Sequence, residues 1–384
     1  MKRIRRSYMR KRIDLQHLKT VEALEAEGPR NITKVARKLR VPAETLRKRV
    51  RRMASQFSWR FNVNIYHTNL GLKKAVVLAQ AIPGYENLLF DSLKTNDFWL
   101  YVNRCYGMKE GCIAVYTIPI NHTNDFESFV QQLENSGVAS NTQISWSTCF
   151  HYVHLKTNWF DEASKSWNFR WDQWMQEVAK RKGRRQLPFT LRDPEEFPIK
   201  GDKTDILILK ELEKNPIIRM TDLAEKIGIS QQLAAYHYLR HIQEQNLIES
   251  FEVAFPYFDK NASDLFVFFF EFNNYETFAK FTSSLLDKPF ARGLGKVIGK
   301  NALIAHLYLP RTEFRKFVNV LSKLIRAGSL ATYNYVIQDP AEDSRQTISY
   351  EYFENKKWTY DHRKHIKNLE SLLKSRGLKK KETA

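Results

Sequence analysis

Cysteine is scarce in this 384-residue chain. Cys105, Cys112 and Cys149 are the whole complement, and no Cys-x-x-Cys pair occurs. An odd trio without that spacing argues against a disulfide framework or a thiolate zinc cluster and points to a reducing compartment. Long apolar runs are missing as well. The most apolar stretch, residues 265–272, is strand-length and carries Glu271, far short of the roughly 18–20 residues a membrane helix needs. The basic N-terminus is not followed by an apolar segment of the secretory type. Phosphate-cradling Gly-x-x-x-x-Gly-Lys, dinucleotide Gly-x-Gly-x-x-Gly, nucleophile-elbow Gly-x-Ser-x-Gly and the zinc motif His-Glu-x-x-His are all absent. Acidic residues are outnumbered, 42 Asp+Glu against 62 Lys+Arg, a formal net charge of +20. A surplus of that size points to polyanionic partners. The 43% hydrophobic content suffices for packed cores and excludes a disordered or collagenous chain, and the length fits two to four domains.

The positive charge is concentrated. Residues 1–60 hold 19 Lys/Arg against 5 Asp/Glu, a local +14, and residues 356–384 carry +7, whereas residues 202–255 carry −3. A further cluster is Lys180-Arg181-Lys182 with Arg184-Arg185. The N-terminal charge coincides with a helical pattern. Leu15, Leu18, Val21 and Leu24 recur at helical spacing; Ile32 to Leu39, then Val41-Pro42, then residues 44–53 follow. The plan recurs about 188 residues later. Ile206, Leu207, Leu209 and Leu212 start it, residues 220–227 continue, Gly228-Ile229-Ser230 turns, and residues 231–243 close it. Ala36 matches Ala224, Val41 matches Ile229 and Pro42 matches Ser230. A small residue in the second helix lets the third cross closely, and Pro and Ser suit a helix start. The pattern is helix-turn-helix. A strand-like segment follows each copy, residues 59–63 and 248–253, where a wing belongs.

Each copy then reads β-α-β-β-α-β, with Phe126/Phe314, Phe129/Phe317, Val130/Val318 and Leu133/Leu321 coincident. The expected class is α+β: two winged helix-turn-helix domains and two ferredoxin-like domains in tandem, each with a C-terminal helical extension. The domain boundaries expected are 1–66 for a basic arm and winged helix, 72–155 for the first ferredoxin-like domain and 156–200 for an aromatic, basic helix and linker. They continue with 201–257 for the second winged helix, 262–340 for the second ferredoxin-like domain and 341–384 for a basic extension. Trp167, Trp171 and Trp174 fall on one helical face, expected to dock that helix on its own core.

Carried by residues 32–39, 41–53, 205–212, 223–230 and the turn 297–301, this architecture resembles the Lrp/AsnC (feast/famine) family of transcription regulators. The resemblance implies a cytoplasmic, nucleoid-associated, non-enzymatic DNA-binding regulator without cofactor. It also implies a small effector, such as an amino acid, near residues 107–111 or 299–301. Family members carry one such unit per chain and dimerise, whereas this chain carries two. The two ferredoxin-like domains are therefore expected to pair within the chain, sheet against sheet, as a pseudo-dimer open to further self-association.

For duplex DNA the third helix of copy one is the expected contact. Leu46, Val50 and Met53 point inward, Arg47 and Arg51 share an outer face, and Lys48, Arg49, Arg52 and Thr45 accompany them. Arg pairs with guanine through two hydrogen bonds, and Lys binds phosphate. Asn31 and Thr33 stand at the start of the preceding helix, fit to cap it and touch phosphate, and Lys2 to Arg12 form a basic arm. In copy two, Gln231, Gln232, Tyr236 and Arg240 could read bases with little charge, or that helix could serve protein interaction. It also carries one extra residue before Leu247-Ile248. His237 and His241 are four apart, and His151 and His154 three apart, with no carboxylate or cysteine set evident to complete a metal site. One enzyme class uses Lrp-like architecture, the sirohaem decarboxylases. On that alternative His151, His154, His237 or Arg292 would be tetrapyrrole contacts. A non-DNA ligand-binding or interaction protein is the other alternative.

Overall fold

A computed structural model describes residues 13–57, 59–107, 110–180 and 187–377. The basic arm at 2–12, most of the cluster at 180–185 and the tail beyond 377 lie outside the described residues.

Three helices open the chain, α1 (Leu15–Glu27), α2 (Ile32–Lys38) and α3 (Ala43–Phe57), followed by strand β1 (Arg60–Ile65). Next come β2 (Leu72–Ala81), α4 (Glu86–Leu93), β3 (Trp99–Tyr106), β4 (Gly111–Pro119), α5 (Thr123–Asn135) and β5 (Ala139–Ser147). Short strands β6 (His151–Tyr152), β7 (Phe160–Asp161) and β8 (Ser166–Trp167) lead to α6 (Trp171–Lys180). The later half repeats the order: α7 (Lys203–Lys214), α8 (Met220–Ile227), α9 (Gln231–Tyr236) and β9 (Ile248–Ala254), then β10 (Ser263–Glu271), α10 (Tyr275–Leu285), β11 (Ala291–Lys296), β12 (Ala302–Pro310), α11 (Arg311–Arg326) and β13 (Thr332–Arg345). It ends on β14 (Phe353–Glu354), β15 (Lys357–Trp358) and α12 (His362–Ser375). The class is α+β with a large antiparallel sheet.

That sheet has nine strands in the order β5-β2-β4-β3-β13-β10-β12-β11-β6. Its strands are apolar on both faces because both are covered. On β2, Ala75, Val77 and Ala79 face α4 and α5, while Val76 and Leu78 join Ile113, Val267, Ile304 and Val336 in a core between the two halves of the sheet. On β10, Phe266, Phe268 and Phe270 face α10 and α11. The halves join by strand pairing at β3 and β13, with Ile337 opposite Tyr106 and Gln338 opposite Cys105. At the far edges Ser147 bridges Val297, and Ile298 N–H donates to Trp146 O at 2.8 Å. The sheet thus curls until both its edges meet.

Two features differ from the sequence expectation. The strands after the two three-helix units do not form separate wings. β1 pairs antiparallel with β9, Asn62 opposite Glu252 and Asn64 opposite Ser250. The aromatic extensions also exchange partners. Trp171 and Trp174 pack not on their own half but on Phe281, Phe290 and Phe317 of the later half. Reciprocally, Tyr352, Trp358 and Tyr360 surround Phe98 of the first half, and Leu369 and Leu373 of α12 join that core. Helical periodicity specifies which face is apolar, not which surface covers it.

Candidate nucleic-acid interface

The first three-helix unit is held by local signals. Asp14 caps α1, accepting from His17 N at 2.9 Å, and Asn31 caps α2, accepting from Lys34 N at 3.2 Å. Helix α2 ends with Arg40 at φ 56 and Val41 N–H returning to Ala36 O at 3.0 Å. In the second unit Gly228, at φ 74, makes the same turn, with Ile229 N–H on Ala224 O at 3.0 Å. A left-handed residue there satisfies the last carbonyls of the helix. The closeness of α2 and α3 follows from buried Ala36 against buried Leu46 and Met53.

This packing leaves one side of α3 in solvent. Thr45, Arg47, Lys48, Arg51 and Arg52 are exposed, as are Asn31 and Thr33. Arg47 makes a loose pair with Glu44 at 3.4 Å, exposed on both sides. Lys48, Arg51 and Arg52 meet no carboxylate among the described residues. Arg49 departs from the expected set: half-buried, it donates to Thr20 Oγ1 at 3.2 Å and so belongs to the α1–α3 contact. Two cations of α2 are neutralised, since Lys34 and Lys38 lie 2.7 and 2.9 Å from Glu27 and hold its carboxyl down to about 2.

The third helix of the second unit is chemically different. Gln231 and Gln232 are exposed, Arg240 is tied to Glu244 at 2.6 Å, and Leu233, Tyr236 and Leu239 are exposed apolar side chains. Past Tyr236 the helix widens into a π-helical turn, His237–Gln243. The sequence reading found no carboxylates to complete His237 and His241. In the fold Asp202 and Asp205, at the start of α7, lie against both.

Of the other singled-out residues, Arg292 neighbours His151 and His154, Val153 N–H donating to Arg292 O at 2.9 Å, but they open into different cavities. A cavity of about 630 Å³ lies between the β1–β9 pair and the large sheet; Tyr101, Glu252, Arg292, His306 and Gln338 line it. Arg292 pairs with Glu252 at 3.1 Å, and burial pushes the His306 ring down to about 4. His151 and His154 open into a separate cleft, both pushed down to about 4 by burial. His237 is in neither. Gly107, Glu110, Gly111 and residues 299–301 do not line the large cavity, and the Gly299 turn is filled by Asp193, which accepts from Gly299 N at 3.1 Å and from Lys296 Nζ at 3.1 Å. All three cysteines are buried, and burial raises each thiol, that of Cys105 to about 12, so none is a ready thiolate.

A family model described as winged helix-turn-helix DNA-binding matches residues 201–240. It falls on the second three-helix unit rather than the more basic first. No curated protein matches the chain. Among solved structures the siroheme decarboxylase NirDL is similar over 93% of this chain and 98% of its own at 8% identity and TM-score 0.49. Its co-complex with an iron-uroporphyrin III analogue is similar over 89% and 93%, at 8% identity and TM-score 0.48. A putative monooxygenase from Lactobacillus acidophilus NCFM is similar over 72% of this chain and 98% of its own, at 6% identity and TM-score 0.31. The chain thus contains a winged helix-turn-helix domain of DNA-binding type, set in an α+β body.

Proposed function

We propose that this protein is a DNA-binding transcription regulator of Lrp/AsnC type, two fused units folded as an internal pseudo-dimer. The observation that carries the reading is the solvent-facing row Arg47, Lys48, Arg51 and Arg52 on α3, of which only Arg47 has a carboxylate nearby among the described residues. The two heads have unequal roles. The first supplies phosphate and guanine contacts, and the second, with Gln231, Gln232 and Tyr236, adds readings of low charge. Such a molecule suits an asymmetric operator in the nucleoid. The 630 Å³ cavity, rather than the glycine turns, is the proposed effector chamber, since Gln338 Oε1 and His306 Nε2 line it buried and without partners among the described residues. The decarboxylase alternative has less support, because Arg292 and the pair His151 and His154 open into different cavities and His237 into neither.

The test is fluorescence anisotropy on duplex DNA across a salt series. Arg47→Ala with Arg51→Ala is expected to lower affinity at least tenfold and to flatten the log K against log salt slope by about 2. Unchanged affinity and slope would remove α3 from the interface.

A further inference from the structure

His237 and His241 lie on successive turns of the third helix of the second winged helix, and both face the start of α7. His237 Nδ1 stands 2.8 Å from Asp205 Oδ1 and 3.9 Å from Asp202 Oδ1. His241 Nδ1 stands 3.1 Å from Asp205 Oδ2 and 3.8 Å from Asp202 Oδ2. The imidazole centroids are 4.5 Å apart, and one ligand atom from each of the four residues falls within 4.8 Å of all the others. Around a four-coordinate ion with bonds of about 2.0–2.1 Å, ligand atoms sit about 3.3 Å apart. The four imidazole–carboxylate separations straddle that edge, two shorter and two longer.

Charge points the same way. Asp205 is fully buried, and no Lys or Arg forms an ion pair with it or with Asp202 among the described residues. A buried Asp205 and a half-buried Asp202 with only imidazoles for company make a spot deficient in positive charge, which a divalent cation neutralises. His237 Nδ1 and His241 Nδ1 now share hydrogen bonds with Asp205 Oδ1 and Oδ2, which an ion between them would replace, while backbone groups orient the carboxylates. Asp202 Oδ1 accepts from Asp205 N at 3.0 Å, and Asp205 Oδ2 accepts from Asp202 N at 2.8 Å. Asp202 Oδ2 accepts none among the described residues. Backbone groups holding ligating carboxylates in this way are the usual outer sphere of a metal site.

The backbone supplies an independent pointer. The third helix of the second unit is π-helical over His237–Gln243, the stretch that contains both histidines, whereas its counterpart α3 is α-helical throughout. π-Helical turns recur at functional positions. Here the widened turn sets the two rings side by side against α7.

We propose that Asp202, Asp205, His237 and His241 form a binding site for a divalent transition metal of the zinc class, tying the start of α7 to the third helix of the second winged helix. Two imidazole nitrogens with two carboxylate oxygens suit zinc, cobalt or nickel rather than calcium or magnesium, which take oxygen donors. The site stands whether or not that helix touches DNA.

The experiment uses the full chain without a histidine tag, stripped with chelator and titrated with Zn²⁺ against a chromophoric competitor. A parallel titration follows the visible absorption of Co²⁺. One equivalent is expected, with the intense bands of tetrahedral cobalt. His241→Ala is expected to weaken zinc binding roughly a hundredfold. Asp202→Asn is expected to do the same while keeping the fold, because Asn caps a helix as well as Asp. His154→Ala, in the separate cleft, is expected to bind as the parent does. Absence of stoichiometric zinc, or parental affinity in both ligand variants, would overturn the site and leave a capping cluster held by imidazole–carboxylate hydrogen bonds.

Discussion

Glu25 shows what a residue can conceal in a sequence. In Glu22-Ala-Leu-Glu25-Ala-Glu27 it reads as helix surface, yet it is 3% exposed. Its carboxyl accepts from Tyr152 OH at 2.5 Å, Leu155 N at 2.6 Å and Val253 N at 3.3 Å. These partners are 127 residues or more away, so no local pattern marks it. Burial raises the carboxyl to about 7, against the pull of Arg292. A carboxyl raised on folding binds its proton more tightly in the native state, so its contribution is full below pH 4.5 and is lost as pH rises through 7. Glu25→Gln removes this dependence. Relative to the parent, the variant should gain stability between pH 5 and pH 8, by at most about 3 kcal/mol. His151, His154 and His306, lowered by burial to about 4, add stability as pH rises from 4 to 6.5 in both proteins and cancel in the difference. Urea unfolding at the two pH values measures it; parallel curves for parent and variant would refute the assignment. Of the residues on α3, the outward row was legible from spacing, whereas the inward turn of Arg49 to Thr20 depends on the crossing of α1, which spacing does not contain.

At the level of elements, periodicity gave type and face but not partner. Of the expected Trp167, Trp171 and Trp174 face only the last two lie on α6, since Trp167 falls on β8 against Tyr257 and Phe258; Trp174 is fully buried, its Nε1 donating to Ser284 Oγ at 3.0 Å and its ring stacked on Phe317. Both contacts belong to helices more than 100 residues later. Replacing a buried aromatic by alanine costs roughly 3–5 kcal/mol. Trp174→Ala should therefore lower the urea midpoint accordingly and release α6 from α10 and α11, seen as a loss of near-ultraviolet dichroism. A loss under about 1 kcal/mol would mean that α6 does not brace the later half. The strands β1 and β9 carry the same lesson. Each was readable as an extended segment, but a strand with one free edge does not say in sequence whether it folds on itself or on its counterpart. The extra residue expected before Leu247-Ile248 is not there: α3 and β1 begin at Ala43 and Arg60, α9 and β9 at Gln231 and Ile248, both 188 apart. The π-helical turn left no mark in spacing, since Tyr238 and Ile242 stay buried across it.

For the whole molecule, the 188-residue offset made the duplicated plan legible, and its interlocking was not. Every core cluster mixes the halves in sequence. Val63, Ile65, Leu70 and Leu72 pack with α7 and α8, and Val253, Phe255 and Tyr257 pack with α1 to α3. With β3 paired to β13, β1 to β9, and the two aromatic extensions exchanged, a half-chain alone exposes the inner sheet face, two strand edges and the seat of the other half's extension. The first half's own sheet is closed by α12 of the later half. Apolar surface and open strand edges of that extent drive association. Residues 1–200 and 201–384, produced together as separate chains, should therefore purify as a one-to-one complex with the hydrodynamic size of the intact protein. Each produced alone should aggregate or self-associate. Two well-behaved monomers, each with a cooperative unfolding transition of its own, would show that the pairing of β3 with β13 is weak and that the halves act as independent domains.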